Sequence, residues 1–185
     1  THDVHGLFSM ITGVMAANNI DILGAQINTL KNGTVLDILQ VVGQSGERII
    51  DEEKLAKLER DMADVITGRV KVDTLVARRR PSILDRKAKP KVPASAQVDN
   101  EVSDSYTVID IHAQNRIGLL YTITSTLSRL ALYIYVAKIT TKGDEAADIF
   151  YVKDIFGQKI YNKERLEKIV EGLYSALGGR PQEGA

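Results

Sequence analysis

Gly6-Leu7-Phe8-Ser9-Met10-Ile11-Thr12 and Gly118-Leu119-Leu120-Tyr121-Thr122-Ile123-Thr124 are two copies of one pattern, 112 residues apart. The offset holds through Ile20/Leu132, Ile22/Ile134, Ala25/Ala137, Ile27/Ile139 and Thr29/Thr141. One residue then drops out. An offset of 111 carries on through Asp37/Asp148, Val41/Val152, Gly46/Gly157, Leu55/Leu166, Met62/Leu173 and Ile66/Leu177. A register kept over about 60 residues with a single slip marks a duplicated unit. The slip falls at Lys31-Asn32-Gly33 against Lys142-Gly143-Asp144, a hairpin composition in which length is free to change.

Each copy reads the same way. Leu7, Met10, Ile11, Val14 and Met15, like Leu119, Leu120, Ile123 and Leu127, recur at helical spacing. Strands follow over 20–30 and 132–141, then over 35–42 and 147–152. Asp51 and Asn162 are N-cap residues for a second amphipathic helix, stopped at Gly68 and Gly178. Residues 106–113 alternate as a strand ahead of the first helix of the second copy. The order β-α-β-β-α is most of a ferredoxin-like βαββαβ unit, so the predicted class is α+β with antiparallel sheets. Repeat 1 lacks its opening strand, which would precede Thr1; either another strand fills the gap or, as the missing initiator methionine suggests, the chain is part of a longer one. We place repeat 1 at 1–99, with a closing strand over 89–98, and repeat 2 at 100–185. A basic connector over 69–88, including Arg78-Arg79-Arg80, reads as a solvated link, with docking to an acidic partner or a parent domain as the other reading.

Composition narrows the function. Basic and acidic residues balance at 24 each, which gives no global attraction to nucleic acid or anionic membrane. There is no cysteine, hence no disulfide, thiolate metal site or thiol nucleophile. No apolar run approaches the roughly 18 residues that span a bilayer. These features fit a cytoplasmic protein.

Chemistry concentrates in the turn before each first helix: Asp3-Val4-His5-Gly6-Leu7 and Asn115-Arg116-Ile117-Gly118-Leu119. Glycine lets a ligand approach the backbone, and the amides beyond it are the unpaired donors of a helix start. Such a turn holds a carboxylate. Asp3 or Asn115 beside it can accept from an ammonium group, and the two functions together describe a free α-amino acid. The plainer reading makes Asp3 and Asn115 helix caps and the glycines turn relief.

The Asp/Asn-x-x-Gly-Leu turns, the strand entry Asn19-Ile20-Asp21-Ile22 and the hairpin resemble the ACT domain family, in both copies. Asn100-Glu101, Ala137-Lys138-Ile139-Thr140-Thr141 and Asp148-Ile149-Phe150-Tyr151-Val152-Lys153-Asp154 resemble a C-terminal tandem ACT region. So do the Ala77-Arg78-Arg79-Arg80-Pro81 and Ala88-Lys89-Pro90-Lys91-Val92-Pro93 stretches. That region belongs to the bifunctional PII uridylyltransferase/uridylyl-removing family. The resemblance implies a regulatory module with glutamine as effector, acting on catalytic domains of the same chain and through them on the PII protein. It also implies that the divalent metal of the parent enzyme is held elsewhere, with no cofactor and no catalytic residue here. In paired ACT units the ligand lies between the units. Asn115, Arg116, Gly118 and Leu119 would then face Asn19 and Asp21. Asp3, Gly6 and Leu7 would face Ala131 and Tyr133, a pairing poorer in polar groups. Where Pro is frequent in the family turn, this chain has His5 and Ile117.

Three other readings fail on residues. His2-Asp3 lacks the further ligands of a metal site. Nucleotidyl transfer needs a Gly-Ser loop and paired aspartates that are absent. RNA binding on a tyrosine-bearing sheet lacks the basic-Gly-aromatic motif. The remaining rival is a ligand-free interaction module, a homodimer pairing through sheet edges.

Overall fold

The computed structural model describes residues 5–29, 35–49, 51–79 and 92–179. Asp3, the Asn32-Gly33 turn and the connector residues from 80 to 91 lie outside them. The element order is α1 (Leu7–Ala17), β1 (Ile20–Thr29), β2 (Val35–Gly43), α2 (Glu52–Ile66), α3 (Val72–Arg78), β3 (Ser95–Asp99), β4 (Thr107–Gln114), α4 (Leu119–Arg129), β5 (Leu132–Lys142), β6 (Glu145–Asp154) and α5 (Lys163–Leu177). The six strands form one antiparallel sheet in the order β2-β1-β5-β6-β4-β3. The class is α+β, and the two repeats share a single core that runs from Phe8, Ile22 and Ile27 to Ile109, Phe150 and Leu173.

The duplication is visible in backbone detail. Each repeat breaks register at the same place, between Ile22 and Gly24 and between Ile134 and Val136. An extra residue there moves the inward set from Ile20 and Ile22 to Ala25 and Ile27. Gly6 and Gly118 both sit in the left-handed region, at φ 81° and 85°. A Cβ there would crowd the backbone carbonyl at a cost of about 1–2 kcal/mol, so glycine is favoured. Asp51 and Asn162 cap α2 and α5 through Glu53 N and Lys54 N, and Arg165 N.

The copies meet about a local two-fold relation. Gln26 of β1 pairs with Lys138 of β5, its own counterpart. Beneath that point Thr12 Oγ1 and Thr124 Oγ1, also counterparts, lie 2.9 Å apart in the contact between α1 and α4. Both hydroxyls are buried, and Thr124 also reaches Leu120 O at 2.8 Å, so neither is left unsatisfied.

Two expectations are corrected. The closing strand expected for repeat 1 over 89–98 is found at 95–99, and it closes repeat 2: β3 pairs with β4, from Ser95↔His112 to Asp99↔Val108. In a βαββαβ unit the last strand flanks the first. Only β4 offers such a flank among the described residues, where no strand precedes α1. Among the described residues no strand follows α5, and β3 holds the place of one. Repeat 1 stays open: no strand covers the outer edge of β2 among the described residues, and Leu36 and Ile38 on it are exposed.

The connector also holds more than a solvated link. Its α3 packs on α1, Tyr121 of α4 donates to Asp73, and Arg79 Nε donates to Asn19 at 2.8 Å. The close approach depends on Gly13, where a Cβ would overlap a Val72 methyl and come within 2.8 Å of the Tyr121 ring. An alanine in an exposed helix is worth up to about 1 kcal/mol over glycine. At Gly13 the overlap outweighs that gain. Gly13→Ala is therefore expected to lower the melting temperature, and a rise would show that α3 is not docked there.

Candidate ligand site between the repeats

The turn before α4 is built so that its amides face a cavity. Gly118 starts the helix with no side-chain cap, while Leu119 N donates to Arg116 O and Thr122 N to Gly118 O. The remaining first-turn amides have no helical partner by geometry. Asn115 is buried, but its side chain does not cap α4. It crosses to the other repeat, where Nδ2 donates to Asp21 Oδ2 at 3.1 Å. The capping reading of Asn115 is thus replaced by a contact between repeats.

The cavity has a volume of about 20 Å³. Repeat 1 contributes Thr12, Ala16, Ile20, Asp21 and Ile22 to its wall. The turn and α4 contribute Asn115, Arg116, Gly118, Leu119, Leu120 and Tyr121, and β5 and β6 contribute Ile139, Thr141, Ala146 and Asp148. The volume suits about one water. A free amino acid is larger than this volume, and the Asn115–Asp21 bond joins the two repeats beside it.

Charge in the cavity is mixed. Arg116 reaches solvent, yet partial burial of its guanidinium, with Arg79 nearby, lowers its pKa. Asp148 is only 2% exposed, and its Oδ1 accepts from Thr140 N at 3.3 Å. Burial pushes its carboxyl up from 3.8 to about 7, the Thr140 amide opposing and the like charge of Asp110 adding. With the folded value above the unfolded one, this group favours folding most below pH 3.8 and loses that contribution as pH rises through about 7.

The sequence-predicted residues separate into three groups. Asp21, Asn115, Arg116, Gly118 and Leu119 converge on the cavity. Asn19 is not in its wall; it takes a left-handed turn at φ 56° and accepts from Arg79. Gly6 and Leu7 belong to the counterpart turn, with Gly6 against Ser128 as Gly118 lies against Ala16. There Tyr133 stands where repeat 1 has Asp21, and its ring lies 4.7 Å from that of His5. That turn therefore meets an aromatic ring where the turn before α4 meets a carboxylate. Sequence reasoning overlooked Asp148, Thr12 and Tyr121 as cavity residues, although Asp37/Asp148 and Thr12/Thr124 were among the repeat matches.

Among the described residues no helix is long and apolar enough to cross a membrane, and no three His, Cys, Asp or Glu side chains gather as a metal site.

Comparison with known proteins agrees with this architecture. Residues 95–179 match a family model described as an ACR9-like, ACT-like domain, a span that begins at β3 as the strand pairing does. The chain is 39% identical over 177 residues, 96% of its length, to the bifunctional uridylyltransferase/uridylyl-removing enzyme of Rhodospirillum rubrum. It is 39% identical over 95% of its length to the enzyme of that name from Azospirillum brasilense, and 34% over 97% to that of Gluconobacter oxydans. In each case it spans 19% of the relative's length. The second repeat is thus an ACT-like domain, and the two repeats together are homologous to one segment of the bifunctional uridylyltransferase/uridylyl-removing enzymes.

Proposed function

We propose that the chain is a regulatory, amino-acid-sensing module, with glutamine as its effector. It would tune the uridylylation and deuridylylation of the PII protein by catalytic domains of a longer chain. The observation that carries the reading is the convergence of three groups on one cavity between the repeats. The uncapped α4 start and Arg116 suit a carboxylate, and Asp21 suits an ammonium group. In the unliganded arrangement Asn115 occupies Asp21 as a donor. A ligand ammonium can take over that bond, so binding and the opening of the repeats are one event. Connector helix α3, tied to the same region through Arg79 and Asn19, is placed to register it.

The experiment is a thermal-shift series of this chain with glutamine, glutamate, serine, leucine and buffer. Glutamine is expected to raise the melting temperature as a ligand of the folded state does, the stabilisation being about 2.7 kcal/mol at a hundredfold excess over Kd. The rival reading, an edge-paired homodimer without ligand, draws on the uncovered edge of β2 with Leu36 and Ile38 exposed. It predicts no shift with any amino acid and a dimer fraction that grows with protein concentration.

A further inference from the structure

We propose that Asp148 selects the ligand's side chain, so that the cavity takes an amino acid bearing a carboxamide and rejects its carboxylate counterpart. This rests on the sensor reading and extends it to specificity. If the ligand's two charged ends are held by Arg116 with the α4 start and by Asp21, its side chain is left to the remaining polar wall. The most deeply buried charged group there is Asp148, reached from β6. Its one hydrogen bond among the described residues uses Oδ1 and a backbone amide. A further bond at the other carboxylate oxygen would satisfy a group whose burial is otherwise costly.

A carboxamide suits Asp148 in either protonation state. It donates N–H to the carboxylate, and its carbonyl accepts from the protonated acid. A ligand carboxylate suits only the protonated acid, since two carboxylates sharing a site cannot both stay ionised. The surrounding charged and titratable groups do not reverse this. Asp21 from β1 and Asp110 from β4 add negative charge, and His112 pairs with Asp110 at 3.3 Å. Tyr121 from α4 is held protonated by burial and by Asp73, while α1 contributes only Thr12 and Ala16. Arg116, with Arg79 beside it, supplies the positive charge near the cavity. Because Asp148 titrates near neutrality, selection should sharpen as pH rises.

The test is calorimetric titration of this chain with glutamine and with glutamate at pH 6 and pH 8. Glutamate affinity is expected to fall about tenfold from pH 6 to pH 8, following protonation of one group near 7, while glutamine changes less than about twofold. In Asp148→Asn the preference for glutamine should shrink to within about threefold and lose its pH dependence. A preference that survives the substitution overturns the proposal and leaves the sensor intact. So does binding of serine or leucine with neither glutamine nor glutamate. No binding of any of them to the wild type removes the sensor reading and this proposal together. Should Asp148→Asn fail to fold, Asp148→Ser is read in the same way, and a preference for glutamine that survives it overturns the proposal.

Discussion

Truncating Leu173 to alanine is expected to cost about 2–5 kcal/mol, while the matching change at Met62 costs about 1 kcal/mol. The two positions are counterparts in the duplication, on α5 and α2. Leu173 is 0% exposed, sealed beneath α4 and the β3-closed sheet, so its removal leaves a cavity that close-packed neighbours cannot fill. Met62 is half-buried, because repeat 1 has neither an opening nor a closing strand among the described residues. A loss of 2–5 kcal/mol is a large part of the roughly 5–15 kcal/mol that stabilises a typical domain. Urea denaturation of the two variants checks the difference. Equal costs would mean that repeat 1 is covered in solution, as edge pairing would do.

The second large effect concerns ligand response. Asp21→Ala is expected to remove the glutamine-induced stabilisation altogether, a loss of about 2.7 kcal/mol at a hundredfold excess of ligand over Kd. The unliganded protein should change by only about 1 kcal/mol, the usual worth of one hydrogen bond such as that from Asn115. Asn115→Ala breaks the same bond but leaves the carboxylate in place, so its effect on the ligand should be smaller. Thermal shifts of both variants with and without glutamine separate the two roles. A full response in Asp21→Ala would take the ammonium acceptor away from this cavity.

Much of this was legible in the sequence because duplication supplies its own control. Counterpart residues announced the helices, strands, caps and the glycine turns, and β1 and β2 pair antiparallel as the reading required. The turn at 115–119 was read as facing Asp21, and in the structure Asn115 touches it. What escaped the reading depends on the third dimension. The register break at Leu23 and Tyr135 was present as a change of phase between Ile22 and Ala25, but a bulge is declared only by its partner strand. Strand β3 was placed near its right residues and with the wrong repeat, since no local pattern tells which edge a short strand joins. Helix α3 is hidden in a basic run. Its docking depends on the bare Cα of Gly13, a packing fact and not a charge fact. Asp148 falls on the buried face of β6 with Ala146, Phe150 and Val152, where it looks like a misplaced polar group until the cavity is seen.

The two-fold relation would suggest two equivalent ligand sites, but among the described residues the two turns face different partners. Asp21 and Tyr133 are counterparts, and the Tyr133 ring lies against His5 where an ammonium acceptor would be needed. Calorimetric titration of glutamine into this chain at pH 7 therefore tests the account most directly. One binding event per chain, lost in Asp21→Ala, is the result expected of a single cavity between the repeats. Two equal events, an event that Asp21→Ala leaves untouched, or none at all would contradict it.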